Sequence, residues 1–346
     1  MPNPVPETIC IVRLSALGDV LMAVPLIRTL QKAFPKAKLT WVISRPAYDL
    51  VEGMDGVEFI VIDKPKGLLD YWCFKQRLRG RHFDVLLAIQ SSFRANILYA
   101  CISAKRRIGY DTLRAKDGHA WFIKETIQPG CDHTLEGFLR FADVLGIHSY
   151  DIRWDLPISE EDRIWAKAHL PNHTSGPILI VNPAASKTER SWAVERYIAV
   201  IKHAQTRWQA QVVLTGGPGP HDHTLGLAIA DAVKVTNLIG QTKPKQLLAT
   251  LSMANAILCP DTGPSHMGVA VGTPVIALHA VTSSEVSGPY LYRHLSVDCY
   301  QEAVRTVLHK TPETNVWGTH AHGPATMDLV SVEAVIERID QVLGHA

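Results

Sequence analysis

The chain has 346 residues, of which 47% are hydrophobic and 20% are charged, and its formal net charge is +2. This composition excludes a disordered chain, and the length is sufficient for two domains of ordinary size. Because the net charge is small, attraction to an anionic partner has to come from local clusters, and no nucleic acid partner is expected.

The six cysteines form no CxxC pair and no cluster with zinc spacing. This pattern favours reduced thiols in the core of a cytosolic protein, with no metal site. The first eight residues lead directly into a strand pattern, so no signal peptide is expected. Because no apolar stretch reaches the roughly 18 residues that span a bilayer, we expect a protein that is soluble or peripherally attached to a membrane.

Short apolar runs alternate with amphipathic patterns along the first half of the chain. Strands are predicted at residues 9–12, 38–44, 59–62 and 85–88. Helices are predicted at residues 20–33, 48–52 and 68–78. This alternation predicts a parallel sheet with helices on both faces.

The alternation restarts in the second half. Strands are predicted at residues 177–181, 211–215, 256–259 and 274–278. Helices are predicted at residues 194–207, 225–232, 244–253 and 265–271. Between the halves, residues 153–156 resemble a strand, residues 160–168 a helix, and residues 171–176 a linker.

The predicted fold class is therefore α/β, with two Rossmann-like, doubly wound domains facing a cleft. The first domain is predicted at residues 1–170 and the second at residues 177–326. Residues 327–346 form a C-terminal helix, which is expected to pack back toward the N-terminal domain.

Four loops that follow predicted strands carry candidate chemistry. In the first, residues 13–19, Asp19 stands at a helix N-terminus and is either a helix cap or a general base. In residues 259–267, backbone N–H groups near Thr262 and Gly263 offer an anion site, and Asp261 can accept hydrogen bonds from sugar hydroxyls. The alternative for this second loop is a capped turn with a buried His266.

The other two loops suggest contacts with a phosphate. In residues 182–192, Lys187 and Arg190 are suited to clamp a leaving diphosphate, unless the loop is simply solvated. In residues 216–223, the glycines let the backbone approach a ligand, although such loops are often plain turns. A metal at His221 and His223 is disfavoured, because two histidines and one aspartate make a poor site.

These motifs together resemble glycosyltransferase family 9, the ADP-heptose:lipopolysaccharide heptosyltransferases, over nearly the whole chain. The resemblance is carried by residues 12–21 (VRLSALGDVL) and 261–266 (DTGPSH), with residues 182–184 (NPA) and 214–217 (LTGG) between them. It implies a GT-B architecture, a donor nucleotide held mainly by the second domain, and an inverting displacement. It also implies that no cofactor is obligatory, since ADP-heptose is a substrate.

The resemblance also implies roles for individual residues. Asp19 resembles the catalytic base, and Asp261 resembles the carboxylate that contacts the donor sugar. The predicted donor-binding set is Ser186, Lys187, Arg190, Gly216, Gly217, Asp261, Thr262, Gly263 and His266. Arg190 stands where some members carry a lysine, so Lys187 is an alternative clamp. Residues 279–282 (HAVT) depart from the Tyr-Gly-Pro turn of several members, which leaves the sugar and the subtype open.

Basic residues of the first half suggest an anionic acceptor of the Kdo-lipid A type. They cluster at residues 64–81 and 105–107, and Trp72 and Phe74 are candidates for lipid contact. The predicted acceptor-binding set is Ser15, Gly18, Lys64, Lys66, Arg79, Arg94 and Arg114. Solvated helix faces are the alternative explanation.

The function predicted on this basis is transfer of a heptose from ADP-heptose to the Kdo-containing inner core of lipopolysaccharide. The enzyme would be cytoplasmic and would contact the inner membrane transiently. The alternatives are a related transferase with another sugar nucleotide or acceptor, a sugar-nucleotide epimerase, and a non-catalytic sugar-nucleotide-binding protein.

Overall fold

The computed structural model describes residues 5–171 and 176–344. The chain divides into two compact units, Met1–Pro157 and Ile158–Ala346. This division falls earlier than the predicted domain boundary, and most of the predicted linker, residues 172–175, lies outside the described residues. The helix predicted near residues 160–168 therefore belongs to the second unit.

The first unit is built on a six-stranded sheet. Its strands are β1 (Thr8–Val12), β2 (Lys38–Ser44), β3 (Val57–Ile62), β4 (Phe83–Leu87), β5 (Ala104–Gly109) and β6 (Glu125–Thr126). Its helices are α1 (Leu17–Ala33), α2 (Arg45–Val51), α3 (Leu68–Arg77), α4 (Phe93–Cys101) and α5 (Thr134–Asp143). The strand order is β3-β2-β1-β4-β5-β6, and every pairing is parallel.

The second unit repeats this plan. Its strands are β7 (Ile178–Val181), β8 (Gln211–Leu214), β9 (Thr236–Asn237), β10 (Ala256–Pro260), β11 (Val275–His279) and β12 (Val297–Asp298). Its helices are α6 (Glu160–His169), α7 (Val194–Trp208), α8 (Pro220–Ala232), α9 (Pro244–Ser252), α10 (Gly263–Val271), α11 (Ser284–Ser287), α12 (Tyr300–Thr306) and α13 (Val332–Leu343). The sheet is again parallel, in the order β12-β11-β10-β7-β8-β9.

Central strands are buried on both faces, as expected for parallel sheets covered by helices. All four residues of β7 and all five of β10 are buried. The predicted doubly wound class is therefore confirmed for each unit.

The strand predicted at residues 153–156 is wrong. The indole of Trp154 is buried and donates from Nε1 to the carbonyl of Leu21, at 2.8 Å. The carbonyls of Trp154 and Asp155 accept hydrogen bonds from the guanidinium of Arg28. Because side chains and carbonyls of this segment bind α1, its backbone is not part of a sheet.

The C-terminal helix α13, expected to return toward the first domain, packs on α7 within the second unit. Its apolar face, which includes Val335 and Ile339, joins the core of that unit. Its N-cap is Ser331, whose side chain accepts a hydrogen bond from the backbone N–H of Ala334.

The cysteines are all free, but they do not all lie in the core. Cys10 and Cys259 are buried, whereas Cys73 and Cys131 are exposed. The interpretation as core thiols is thus wrong for the latter two, because they stand on surface positions. In the described part of the chain, no helix is both long enough and apolar enough to cross a bilayer.

Candidate functional site

In each sheet the strand order reverses at one point, between β1 and β4 in the first unit and between β7 and β10 in the second. Loops leave the carboxyl ends of these strands in opposite directions, and ligands of doubly wound sheets bind in the resulting crevice. Residues 13–16 follow β1, residues 182–191 follow β7, and Asp261 follows β10. Chain topology therefore places three of the predicted motifs at the two switch points.

Asp19 is the third residue of α1, and its carboxylate has two partners. Oδ2 accepts a hydrogen bond from the backbone N–H of Ala16, at 3.1 Å, as an N3 residue of a capping arrangement does. Nη2 of Arg13 lies 2.5 Å from the same oxygen. The carboxylate caps the helix, but 29% of the side chain remains exposed and within reach of a ligand.

Arg13, which holds this carboxylate, was not among the predicted site residues. Its Nη1 donates to the carbonyl of Ile89 at 2.8 Å, and its guanidinium lies 5.3 Å from the ring centroid of Phe138. Burial by itself lowers the pKa of the guanidinium, but Asp19 and the phenol of Tyr110 raise that pKa above its usual value. Arg13 is thus a fixed, charged neighbour of Asp19.

A cavity of about 470 Å³ lies beside the β1–α1 loop. Its lining brings together three of the predicted acceptor residues, Ser15, Lys64 and Arg94. Gln90, which also lines it, accepts a hydrogen bond from the backbone N–H of Leu14 at 2.7 Å. The loop that precedes Asp19 is thus tied to one wall of a cavity with two cationic side chains.

A second cavity, of about 480 Å³, shares Lys64 with the first. It lies at the carboxyl end of β3 and is also lined by Lys66, Arg45 and Arg77. Asp63 and Asp70 are its acidic members. The basic cluster at residues 64–77 therefore surrounds a concave surface in the first unit.

The remaining predicted acceptor residues lie elsewhere. Arg79 is exposed beyond the end of α3 and lines neither of the two cavities. Arg114 forms a buried ion pair with Asp111, with Nε 2.8 Å from Oδ2. Gly18 is buried in the first turn of α1. Arg79 and Arg114 therefore do not line the first cavity with Ser15, Lys64 and Arg94, and Gly18, three residues after Ser15, is not among its lining residues either.

The second basic cluster, residues 105–107, is engaged within the protein. Lys105 pairs with Asp84 at 2.7 Å, and Arg106 pairs with Glu125 through two nitrogens. Arg107 donates to two backbone carbonyls. These side chains hold β5 in its sheet. The cluster of basic residues that was predicted to bind an anionic ligand is therefore used for contacts within the protein.

Large apolar side chains are exposed near the two cavities. Leu68, Leu69 and Trp72, in the first turns of α3, are 86%, 77% and 59% exposed. Phe93, which lines the first cavity, is 65% exposed. Phe74 is buried and belongs to the core. Of the two aromatic residues predicted to face lipid, only Trp72 is thus on the surface.

Asp261 is the centre of the arrangement in the second unit. Its Oδ2 accepts from the hydroxyl of Thr282 at 2.8 Å, and Nη1 of Arg190 lies 3.3 Å from the same oxygen. Burial raises the pKa of this carboxyl, but His279 and His266 lead the groups that lower it by more, so that the pKa lies below its usual value. Asp261 is therefore an ionised hydrogen-bond acceptor near neutral pH.

The loop after β7 supplies the cations predicted for this unit. Lys187 is exposed, and Arg190 ends a short 3-10 helix, Thr188–Arg190. Nη2 of Arg190 donates to Oγ of Ser186 at 2.7 Å. Ser186, Arg190 and Asp261 thus form one contiguous set across the switch point.

The backbone next to Asp261 begins α10, with Thr262 as the N-cap and Gly263 as the first helical residue. The first N–H groups of a helix have no partner within the helix, and the helix dipole is positive at this end. Ser265 is buried and donates from Oγ to the carbonyl of Thr262 at 2.7 Å. His266 is buried beneath the same turn, where it interacts electrostatically with Asp261.

The loop after β8 is held by Asp222, whose Oδ1 accepts from the backbone N–H of Gly217 at 2.8 Å. A Cβ atom on Gly216 would lie 2.9 Å from that oxygen, so the close approach of the loop to α8 requires glycine there. His221 contacts Oγ of Ser191 through Nε2, at 2.9 Å, which links this loop to the β7 loop. Within residues 5–171 and 176–344, no cluster of three or more metal-ligating side chains is found.

Comparison with known proteins identifies the family. The model of glycosyltransferase family 9 (heptosyltransferase) matches residues 71–315. The chain belongs to glycosyltransferase family 9. This glycosyltransferase is 31% identical over 347 residues to a protein of Haemophilus influenzae named lipopolysaccharide core heptosyltransferase OpsX, with 97% of each chain covered.

Two solved structures share the fold of this family 9 enzyme. A glycosyltransferase family 9 structure from Veillonella parvula has a TM-score of 0.78 at 20% identity and covers 98% of both chains. The E. coli ADP-heptose lps heptosyltransferase II has a TM-score of 0.71 at 18% identity, covering 98% of this chain and 99% of its own. The predicted GT-B fold, with two Rossmann-like domains, is confirmed.

Three residues that contact the centre of the second unit of this glycosyltransferase were not predicted as site residues. Thr282 and Ser287 donate hydroxyl groups to Asp261, at 2.8 and 3.3 Å. His279 lies behind Thr282, with Nδ1 3.3 Å from its hydroxyl. The only signal in the sequence was the departure of residues 279–282 from the turn found in several family members.

The C-terminal segment braces the loop that carries Arg190. Nε1 of Trp192 donates to the carbonyl of Val330 at 3.0 Å, and Nη1 of Arg196 donates to the carbonyl of Asp328 at 2.8 Å. Nδ1 of His322 lies 2.6 Å from Oε1 of Glu189. The position of the β7 loop in this enzyme thus depends on residues more than 120 positions later in the chain.

Proposed function

We propose that this glycosyltransferase moves a heptose from ADP-heptose to the Kdo-containing inner core of a lipopolysaccharide precursor, with inversion at the anomeric carbon. The observation that carries the proposal is the contact of Arg190 with Asp261 at the head of α10. This contact places a carboxylate that can accept hydrogen bonds from sugar hydroxyls next to groups that can donate hydrogen bonds to a diphosphate. A site for a nucleotide sugar requires both. The heptose and the lipopolysaccharide are proposed because the similar proteins named above carry these substrates in their names.

The proposed donor site assigns each part of the nucleotide sugar to a group of the second unit. Lys187, Arg190 and the N–H groups near Thr262 and Gly263 bind the diphosphate, whose charge grows as the sugar leaves. Asp261 accepts hydrogen bonds from the sugar hydroxyls. Because protein cations and N–H groups compensate the charge of the leaving group, the proposal includes no cofactor.

Asp19 is the proposed base. It takes the proton of an acceptor hydroxyl as that oxygen bonds to the anomeric carbon, and the bond from this carbon to the diphosphate breaks. The electron pair of the broken bond leaves with the nucleoside diphosphate. Arg13 keeps the carboxylate in place at 2.5 Å and so limits its motion during the transfer.

The proposed acceptor site is the pair of cavities in the first unit. Lys64, Lys66 and Arg94 would bind the carboxylates and phosphates of a Kdo-lipid A type acceptor. The exposed side chains of Leu68 and Trp72 would enter the headgroup region of the cytoplasmic face of the inner membrane. Basic residues at an anionic leaflet contribute about 1 kcal/mol each, so a transient peripheral contact is expected.

The test is product analysis with the purified, full-length protein. Kdo-lipid A and ADP-heptose are incubated with the enzyme, and mass spectrometry is expected to show an acceptor heavier by one heptose. GDP-mannose and UDP-N-acetylglucosamine in parallel reactions test for a different donor. Conversion of a nucleotide sugar without acceptor would indicate an epimerase, and nucleotide binding without any product would indicate a non-catalytic binding protein.

A further inference from the structure

A segment of the second unit, residues 319–323, is fixed next to the candidate donor site. The backbone N–H of Ala321, which is fully buried, donates to the carbonyl of Val281 at 2.8 Å. The carbonyl of Thr319 accepts from the phenol of Tyr300 at 2.5 Å. Because both hydrogen bonds are to backbone groups, the main chain on either side of Ala321 is held in place.

The residues on either side of Ala321 are histidines, and one of them pairs with the β7 loop. His322 is paired with Glu189 of that loop at 2.6 Å, and the ring centroid of His320 lies 5.4 Å from that of His322. His320 remains exposed to solvent. It interacts electrostatically with Lys187, Arg190 and Asp261, which are the central groups of the proposed donor site.

We propose that His320 is an additional ligand of the nucleotide diphosphate, and that it binds this group in its protonated form, so that nucleotide binding takes up a proton. The inference rests on the proposed function, because it takes Lys187, Arg190 and Asp261 as the donor site. It adds a titratable group to that site, carried by a segment more than 50 residues beyond the last of the three.

The charges around His320 support a change of protonation on binding. In the free protein, desolvation and then the neighbouring side chains of His322 and Arg190 lower the pKa of the His320 imidazole, while Asp261 acts in the opposite direction. Lys187 also lowers it. A diphosphate placed among these groups reverses the local sign of charge and raises the pKa of the imidazole. Binding is then strongest below the pKa of His320 in the complex and weakens as the pH rises through it.

The coupling between protonation of His320 and nucleotide binding strengthens binding of the product, ADP, more than binding of the donor, ADP-heptose. When the sugar departs, the phosphate that carried it gains a negative charge, and a protonated His320 binds that charge more strongly than it binds the diester. His320 thus acts on the leaving group, together with Arg190. The hydrogen bond from a charged group to a phosphate oxygen is directional, whereas the contribution of Lys187 is that of a mobile point charge.

The experiment is calorimetric titration of ADP into the full-length protein at pH 6 and pH 8, in buffers of different ionisation enthalpy. The wild type is compared with H320Q, which cannot become charged, and with H320K, which is always charged at these pH values. We expect H320Q to bind ADP about tenfold more weakly at pH 6 and to take up fewer protons than the wild type. H320K should retain binding at pH 6 but should not take up the proton that His320 takes up in the wild type. Any proton taken up or released by ADP itself contributes equally to the wild type and both variants.

H148Q, at an exposed histidine of the first unit, is the matched control and should behave as the wild type. Equal affinity and equal proton uptake for wild type and H320Q would overturn the inference and leave the proposed donor site intact. Failure of the wild type to bind ADP at all would instead contradict the proposed function. Loss of binding in H320Q and H320K alike, with unchanged melting temperatures, would show that the imidazole shape matters and not its charge, which also overturns the inference.

Discussion

The carboxylate of Asp19 and the guanidinium of Arg13 form an ion pair in which Nη2 lies 2.5 Å from Oδ2, and only 12% of the Arg13 side chain is exposed. Arg13 is in turn held by the carbonyl of Ile89, at the carboxyl end of the neighbouring strand β4. The side chain proposed as the base is therefore fixed to two strands that flank the switch point. Such a carboxylate cannot rotate freely when an acceptor binds.

Changing Asp19 to Asn separates the two tasks of its carboxylate. Asparagine still accepts the hydrogen bond from Ala16, so the cap of α1 is kept, but it cannot take a proton. We expect turnover to fall about 10²–10⁴-fold in D19N, because that is the usual contribution of a positioned base. The melting temperature of D19N should also fall, because the buried guanidinium of Arg13 loses the charge of its partner. Kinetics and thermal unfolding of D19N and D19A measure both effects, and D19A should lose about 1 kcal/mol more than D19N, because the hydrogen bond to Ala16 is lost as well. Full turnover in D19N would leave Asp19 as a helix cap only.

Changing Asp261 to Ala should weaken binding of the intact nucleotide sugar much more than binding of ADP. The carboxylate is proposed to contact the sugar, and its removal releases Arg190 to the diphosphate. Calorimetry with ADP and with ADP-heptose is the measurement, and we expect about a tenfold loss for ADP-heptose alone, as for a charge-assisted hydrogen bond. Equal losses for both ligands would contradict the contact with the sugar.

Thr282 is expected to act on the donor through Asp261. T282V has nearly the same shape but lacks the hydroxyl that donates to Oδ2 at 2.8 Å, whereas T282S keeps it. The KM for the nucleotide sugar should rise about three- to tenfold in T282V, with ADP affinity unchanged, because one hydrogen bond to a charged group is lost. T282S should recover most of the wild-type KM. A rise of the same size in T282S would point to packing, and not to the hydroxyl, as the cause.

Charge reversal at the first cavity should affect the acceptor and not the donor. Lys64 and Arg94 line the same cavity. K64E/R94E should raise the acceptor KM, more at low salt than at high salt, since exposed charges are screened over about 8 Å at physiological ionic strength. The control variant is R79E, which belongs to the same basic cluster at residues 64–81 but lies outside both cavities. A larger effect of R79E than of the double reversal would move the acceptor site toward the end of α3.

The stability of the first unit should fall as the pH drops from about 6.5 to about 4. Burial lowers the pKa of His119 to about 4 from 6.5. Nε2 of the ring accepts from the backbone N–H of Tyr110 at 3.1 Å, so the proton is on Nδ1, which faces Oδ1 of Asn96 at 2.8 Å. The unfolded chain takes up a proton at a higher pH than the folded one, so the stability present above pH 6.5 is lost progressively below it.

The difference between the two pKa values corresponds to about 3 kcal/mol at pH 4. Denaturant unfolding of the wild type and of H119Q between pH 4 and pH 8 measures this difference. H119Q should be less pH-dependent over this range, even if it is less stable at pH 8. An identical pH dependence in both proteins would show that another group is responsible.

Much of the donor site could be predicted because it follows from strand order. Asp261 and the loop at residues 182–191 each come directly after a fully apolar run, and parallel strands end at the same edge of a sheet. The hydroxyl partners of Asp261 could not be predicted in this way. Thr282 lies in the loop after β11 and Ser287 ends α11, so their contact depends on how the chain turns after β11.

The acceptor site was harder to predict from the sequence, because Lys and Arg residues occur in similar patterns whether they form internal ion pairs or line a binding surface. Residues 105–107 lie on strand β5, where Lys105 and Arg106 pair with Asp84 and Glu125 and Arg107 donates to backbone carbonyls. Because three consecutive basic residues interrupt the apolar pattern, this strand was not predicted from the sequence. Only the three-dimensional neighbours separate Arg114, which is paired with Asp111, from Lys64 and Arg94, which line a cavity.

The bracing of the β7 loop by Trp192, Arg196 and Glu189 against residues 322–330 has a practical consequence for handling this protein. A stop codon between residues 299 and 321 would keep every strand of both sheets in the chain while removing the partners of all three side chains and the apolar face of α13. Such a fragment would present a displaced Arg190 and would also expose the core residues of α7 that α13 covers. A shortened product of this kind in a preparation would therefore lower the measured specific activity, and the intact mass is the quantity to check before rates are compared.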